Sequence, residues 1–162
     1  MANDACSDTG PVLHLHEIRS DSLLKIFGKI FISDYIKEEL LKYKIENLPK
    51  NLGVEEVNKD QVVLLAEKYG IDVAEASVIW LCKSMHINLL LTDDLTAREV
   101  AMQLEIKPVG TVGIITRAFR EGVITQKKTT ELLHLLHKNS SLFITSELIN
   151  HAINEIRKFN KV

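Results

Sequence analysis

Residues 73–92 confine this chain to a small set of folds. Val73–Met85 is apolar almost all the way round, which predicts a helix buried on every side. His86-Ile87-Asn88-Leu89-Leu90-Leu91-Thr92 follows at once and reads as a central parallel strand running straight into Asp93-Asp94. A buried helix feeding a buried strand is the repeating unit of an α/β domain.

The segments on either side agree. A short strand is expected at about Ala5–Asp8, ending in the turn Asp8-Thr9-Gly10-Pro11, and Pro11 suits the first turn of a helix carrying Val12, Leu13, Leu15 and Ile18. Leu23, Leu24, Ile26 and Phe27 predict a second helix closed by Gly28, and Ile30-Phe31-Ile32 a second strand. Ser33 or Asp34 caps a helix over Tyr35–Tyr43. A loop surrounds Pro49, and Gln61–Lys68 is helical up to Gly70. After the acidic strand end, Ala97, Val100, Ala101 and Leu104 mark an amphipathic helix, and Ile106–Val109 one more short strand. Helices over Val112–Arg120, Gln126–His137 and Ser146–Phe159 then make the last third helical.

A length of 162 residues suits one domain, 1–162, with one sizeable core. Only 7 Gly and 3 Pro argue against disorder and against a loop-rich all-β fold. Cys6 and Cys82 stand in no metal-ligand spacing and read as reduced thiols. No apolar run reaches the length of a membrane span, and the N-terminus lacks a signal-peptide pattern, so a soluble cytoplasmic protein is expected. With a net charge of −2, any contact with nucleic acid must come from a local basic patch.

Five acids occupy unusual positions. Asp8 and Asp94 each follow a predicted strand, where either could simply cap the next helix; Thr96-Ala-Arg-Glu99 offers a competing capping box. Ile36, Glu39, Leu40 and Tyr43 share one helix face, so Glu39 lies on the apolar seam or at its edge, while Glu38 points away. Glu75 is the only acid within the apolar helix, and a salt bridge would be its ordinary explanation. Asp93 precedes Asp94 at the carboxyl end of the buried strand, where open α/β sheets gather ligands. Asp8, Glu39, Glu75 and Asp94 would converge at one sheet edge, and converging carboxylates call for divalent cations. An oxygen-only donor set suits Mg²⁺ or Mn²⁺ rather than zinc. His14, His16, His134 and His137 read as packing-edge residues of amphipathic helices.

The acids also carry a recognisable pattern. Ser7-Asp8-Thr9-Gly10-Pro11, Ile36-Lys37-Glu38-Glu39-Leu40, Asp72-Val73-Ala74-Glu75-Ala76-Ser77 and Leu91-Thr92-Asp93-Asp94-Leu95-Thr96-Ala97-Arg98 stand in order over nearly the whole chain. With Gly110-Thr111-Val112-Gly113-Ile114-Ile115, they resemble PIN-domain proteins, in a prokaryotic branch similar to VapC-type toxin ribonucleases. The resemblance implies a PIN-like three-layer sandwich with a central parallel sheet and a helical C-terminal third. It implies Mg²⁺- or Mn²⁺-dependent endoribonuclease activity, with Asp8, Glu39, Glu75 and Asp94 as catalytic metal ligands and Asp93 as a further ligand or an orienting residue. Thr9, Thr92, Arg98 and Arg117 would contact substrate, with Arg120, Lys127 and Lys128 as further basic residues near the pocket mouth. The implied partners are RNA, a small antitoxin and a second copy of the chain.

Three features depart from the family pattern: a polar segment before Asp8, Ala74 where this branch often has Gly, and no further acid soon after Asp94, where Thr96 or Thr111 would stand in. A PIN-like scaffold with weak catalysis, acting as a protein- or RNA-binding module, is the competing reading. A phosphoacceptor receiver domain fits less well, because only Asp8 follows the opening strand.

Overall fold

In the computed structural model, which describes residues 2–159, five parallel strands form one sheet in the order β3-β2-β1-β4-β5. The strands are β1 (Ala5–Ser7), β2 (Ile30–Ser33), β3 (Leu52–Glu55), β4 (Leu89–Leu91) and β5 (Lys107–Val109). Helices α1 (Thr9–Glu17), α2 (Asp34–Lys42), α3 (Lys59–Tyr69), α4 (Val73–Ser84), α5 (Leu95–Gln103) and α6 (Thr111–Arg120) alternate with them and flank the sheet. Helices α7 (Gln126–Asn139) and α8 (Ser146–Phe159) follow and pack on α6 and each other.

The core is one continuous cluster built on Ala5, Cys6, Ile30, Ile32 and Leu89–Leu91 of the sheet. Helix α4 lies across β1, β2 and β4 and buries Ala76, Val78, Ile79, Leu81 and Cys82. Both cysteines are free and buried. No described helix is long and apolar enough to cross a membrane.

Side-chain caps fix where the helices begin. Ser33, Asn58, Asp72, Asp94 and Thr125 each accept a hydrogen bond from a backbone N–H in the opening turn of the helix that follows. The six helices from α1 to α6 all end alike. A residue in the left-handed region (Arg19, Lys44, Gly70, His86, Glu105, Gly122) is followed by one whose N–H donates to a carbonyl five residues back. This closes the helix and turns the chain sharply toward the next segment.

That ending corrects one expected boundary. His86 has φ +56° and Ile87 N–H donates to Cys82 O, so His86–Asn88 belongs to the turn and the strand proper is Leu89–Leu91. The expected helix around Leu23–Phe27 is a 3-10 segment, Asp21–Ile26. The stretch after Pro49, expected as loop, contains β3. This edge strand is half exposed and carries Gly53, so it lacks the apolar alternation of a buried strand.

Candidate functional site

The chain builds from β1 through β2 to β3 on one side, then crosses back to place β4 and β5 on the other side of β1. The carboxyl ends of β1 and β4 therefore border the crevice where such sheets bind ligands. Asp8 follows β1 and its N–H donates to Leu91 O of β4 at 2.8 Å. Its carboxylate accepts from Thr9 N–H at 2.9 Å and from the Thr92 hydroxyl at 3.0 Å. Burial pushes this carboxyl up to about 6; the two hydrogen bonds oppose the shift, and the nearby charges of Glu39 and Asp72 add to it.

Glu39 reaches the same place from α2, where it accepts a hydrogen bond from the Thr9 hydroxyl; Glu38 is exposed. Glu75, in the first turn of α4, faces this pocket without a cation partner among the described residues, so the salt-bridge explanation does not hold. Burial, followed by the charges of Asp72, Asp94 and Asp8, pushes its carboxyl up to about 8. Asp94 caps α5 by accepting from Ala97 N–H at 2.8 Å, and its own N–H donates to the Thr92 hydroxyl oxygen at 3.2 Å. Capping and pocket lining thus coexist in Asp8 and Asp94, and the competing cap at Thr96 does not form. Asp72, which opens the Asp72–Ser77 motif, caps α4 and lines the same pocket.

Asp93 has a different environment. Its Oδ2 pairs with His14 Nδ1 at 2.7 Å and accepts from the Thr111 hydroxyl at 2.6 Å, while Oδ1 accepts from Thr111 N–H at 2.7 Å. Burial alone would raise its pKa, but the bonds from His14 and Thr111 outweigh it and hold the carboxyl below the ordinary range. A Cβ at position 110 would lie 2.8 Å from Asp93 Oδ1 and 3.1 Å from Arg98 Nη1, so glycine there leaves room for both side chains. Both Asp93 oxygens are thus engaged by neighbouring groups. His14 is buried against it at the pocket, so the packing-edge reading of this histidine was incomplete. Their separation of 79 residues hid the pair from local pattern analysis.

The pocket has a volume of about 460 Å³ and gathers Asp8, Glu39, Asp72, Glu75, Asp93 and Asp94, with no lysine or arginine in its lining. The expected basic residues stand beside it rather than in it. Arg98, Arg117 and Arg120 line an adjoining groove, whereas Lys127 and Lys128 line neither cavity. Arg98 donates to Thr92 O at 3.1 Å, and Arg117 stacks on Phe27 and pairs with Glu121.

A family model, DUF3368, described as a PIN domain, matches residues 4–158. The chain belongs to the PIN-domain family. Among solved structures, PAE2754 from Pyrobaculum aerophilum is similar at 15% identity and a TM-score of 0.49, over 72% of this chain and 97% of that one. No curated protein matches the sequence.

PIN domains are generally nucleases that use divalent metals. The donor chemistry of this PIN domain's pocket fits such an ion: hard carboxylate oxygens, no lysine or arginine in the lining, and two acids whose ionisation is opposed by burial and by neighbouring carboxylates. Among the described residues, no three His, Cys, Asp or Glu side chains are already gathered into a metal-holding set. Asp8, Asp72 and Asp94 are instead engaged as helix caps, each with acceptor capacity to spare.

Proposed function

We propose that this PIN domain is a metal-dependent endoribonuclease that hydrolyses RNA phosphodiester bonds in the acidic pocket. The supporting observation is the convergence of Asp8, Glu39, Glu75 and Asp94, from four separate segments of the chain, on one pocket with no lysine or arginine in its lining. These four would hold Mg²⁺ or Mn²⁺. Such an ion, when bound, supplies an activated water and neutralises charge on the phosphate.

The chain's own groups prepare that site. Thr92 and Thr9 orient the two oxygens of Asp8, and the Thr9 hydroxyl positions Glu39. Asp93, locked by His14 and Thr111, fixes the strand end from which Asp94 enters the pocket. The raised Asp8 and Glu75 carboxyls take up or release protons near neutral pH, so binding a cation there displaces protons.

A cytoplasmic toxin paired with a small antitoxin, and acting as a homodimer, is the biological setting that the resemblance to the VapC-type branch favours. The scaffold reading draws on a separate observation: capping alone accounts for Asp8, Asp72 and Asp94 without any catalysis. The two readings part on Mn²⁺ binding by calorimetry together with RNA cleavage. The nuclease binds the ion and cuts in Mn²⁺ but not in EDTA; the scaffold does neither.

A further inference from the structure

The acidic pocket adjoins a groove of about 610 Å³ between α5, the β5–α6 junction and the α7–α8 loop, and Asp93, Leu142 and Phe143 line both cavities. Both cations and apolar side chains line this groove. Arg98, Lys107 and Arg120 supply the charge, while Leu95, Phe143 and Leu148 supply exposed apolar surface. Phe143 is 93% exposed and Leu95 77% exposed, so neither contributes to the core. The loop carrying Phe143 is tied to α1, because Ser141 donates both its N–H and its hydroxyl to Glu17 Oε1, at 3.0 and 2.8 Å. The segment beside Phe143 is thereby anchored, and its open ring lies where the basic groove meets the acidic pocket.

We propose that this groove is the track along which a single RNA strand approaches the pocket, with Phe143 stacking a base beside the phosphate to be cut. The inference rests on the nuclease reading and adds to it a specific path and a specific base contact. Cations that follow a backbone, interleaved with an open aromatic face, form the surface to which an unpaired strand binds, since only unstacked bases present free faces. The acids repel phosphates and the groove attracts them, so the strand is drawn past the pocket rather than generally to a chain of net charge −2. Lys107 and Arg120 are exposed and line the groove but not the acidic pocket, so they are placed to anchor the backbone outside the pocket.

The test is fluorescence anisotropy of a labelled oligouridylate in EDTA, where nothing is cut. Phe143→Ala weakens binding about tenfold and Phe143→Trp restores it, in keeping with base–aromatic stacking. Replacing Lys107 and Arg120 by Ala lowers the slope of log affinity against log salt by about 1.4, the value for two single-strand phosphate contacts. All three positions are exposed, so the variants keep the fold. Unchanged affinity in both sets of variants overturns the proposal. So does equal binding of duplex RNA without dependence on Phe143, or binding of a polyglutamate peptide in place of the oligonucleotide. Cleavage in Mn²⁺ with binding indifferent to these residues removes the groove and leaves the nuclease standing. Groove-dependent binding without cleavage in any metal does the reverse.

Discussion

Thr92 donates its hydroxyl to Asp8 Oδ2 at 3.0 Å, joining the ends of two strands that are 84 residues apart in sequence. The same oxygen of Thr92 accepts from Asp94 N–H, so one hydroxyl positions both strand-end acids. Thr92→Val removes both contacts while keeping the side-chain volume. It leaves Asp8 short of a partner in a buried setting and should cost about 1–3 kcal/mol in urea denaturation. On the nuclease reading it also reduces cleavage, whereas Thr92→Ser retains most of both properties.

Asp8→Asn separates stability from activity. The Asp8 carboxyl is raised to about 6, so at pH 8 the folded protein carries a charge that burial disfavours. The amide removes that charge and can still accept from Thr9 and donate to Thr92. Its melting temperature at pH 8 should equal or exceed that of the unaltered protein, while cleavage falls at least about a hundredfold, the loss expected when several kcal/mol of metal-derived stabilisation disappear. A large drop in melting temperature would show that the Asp8 charge stabilises the fold.

The pH dependence follows from the direction of the shifts. The folded-state values of Asp8 and Glu75, about 6 and about 8, lie above those of the unfolded chain. Between about pH 4 and pH 8 the folded state therefore binds more protons, and stability falls as pH rises through this window. Glu75→Gln removes its part of that slope, so the variant gains on the unaltered protein from pH 5 to pH 8.5 in thermal melts without metal. Added Mn²⁺ should raise the melting temperature of the unaltered protein more at pH 8 than at pH 5.5, because bound metal favours the ionised acids.

Much of this site was legible in the sequence, and the reasons differ from residue to residue. Asp8 and Asp94 end buried strands, and Glu39 and Glu75 interrupt apolar helix faces, so each acid was conspicuous against its own neighbours. Asp72 was not, because before an apolar helix it reads as an ordinary cap. The contacts of His14 and Thr111 with Asp93, 79 and 18 residues away, are ones that no periodicity encodes, although Thr111 stood out as a stand-in for a further acid. The extent of the β4 strand was overestimated because His86, Ile87 and Asn88 continue an extended-looking pattern, while tertiary geometry uses them to close α4. Phe143 gave no local signal, since an isolated apolar residue in a loop is common on protein surfaces.

Gly110→Ala tests the packing behind Asp93. The added methyl would meet Asp93 Oδ1 at 2.8 Å and Arg98 Nη1 at 3.1 Å, and Asp93 is held by three hydrogen bonds and cannot easily retreat. A loss of about 1–3 kcal/mol in chemical denaturation is expected. A neutral substitution would mean that the Asp93–His14–Thr111 lock is looser than its geometry.

Glu105→Gly should act in the opposite direction. Glu105 sits at φ +61° at the end of α5, a conformation that a side chain disfavours and glycine accepts. Relief of that cost, partly offset by the entropy of the added glycine, should raise stability by about 0.5 kcal/mol in the same denaturation assay.

The most direct test of the account is cleavage of a single-stranded RNA pool in Mn²⁺, comparing the unaltered protein with Asp8→Asn and Glu75→Gln after circular dichroism has shown both variants folded. The account predicts cutting by the unaltered protein, none in EDTA, and losses of about a hundredfold or more in each variant. Cutting that survives both substitutions, or folded protein that neither binds Mn²⁺ nor cuts, would contradict a nuclease site at this pocket.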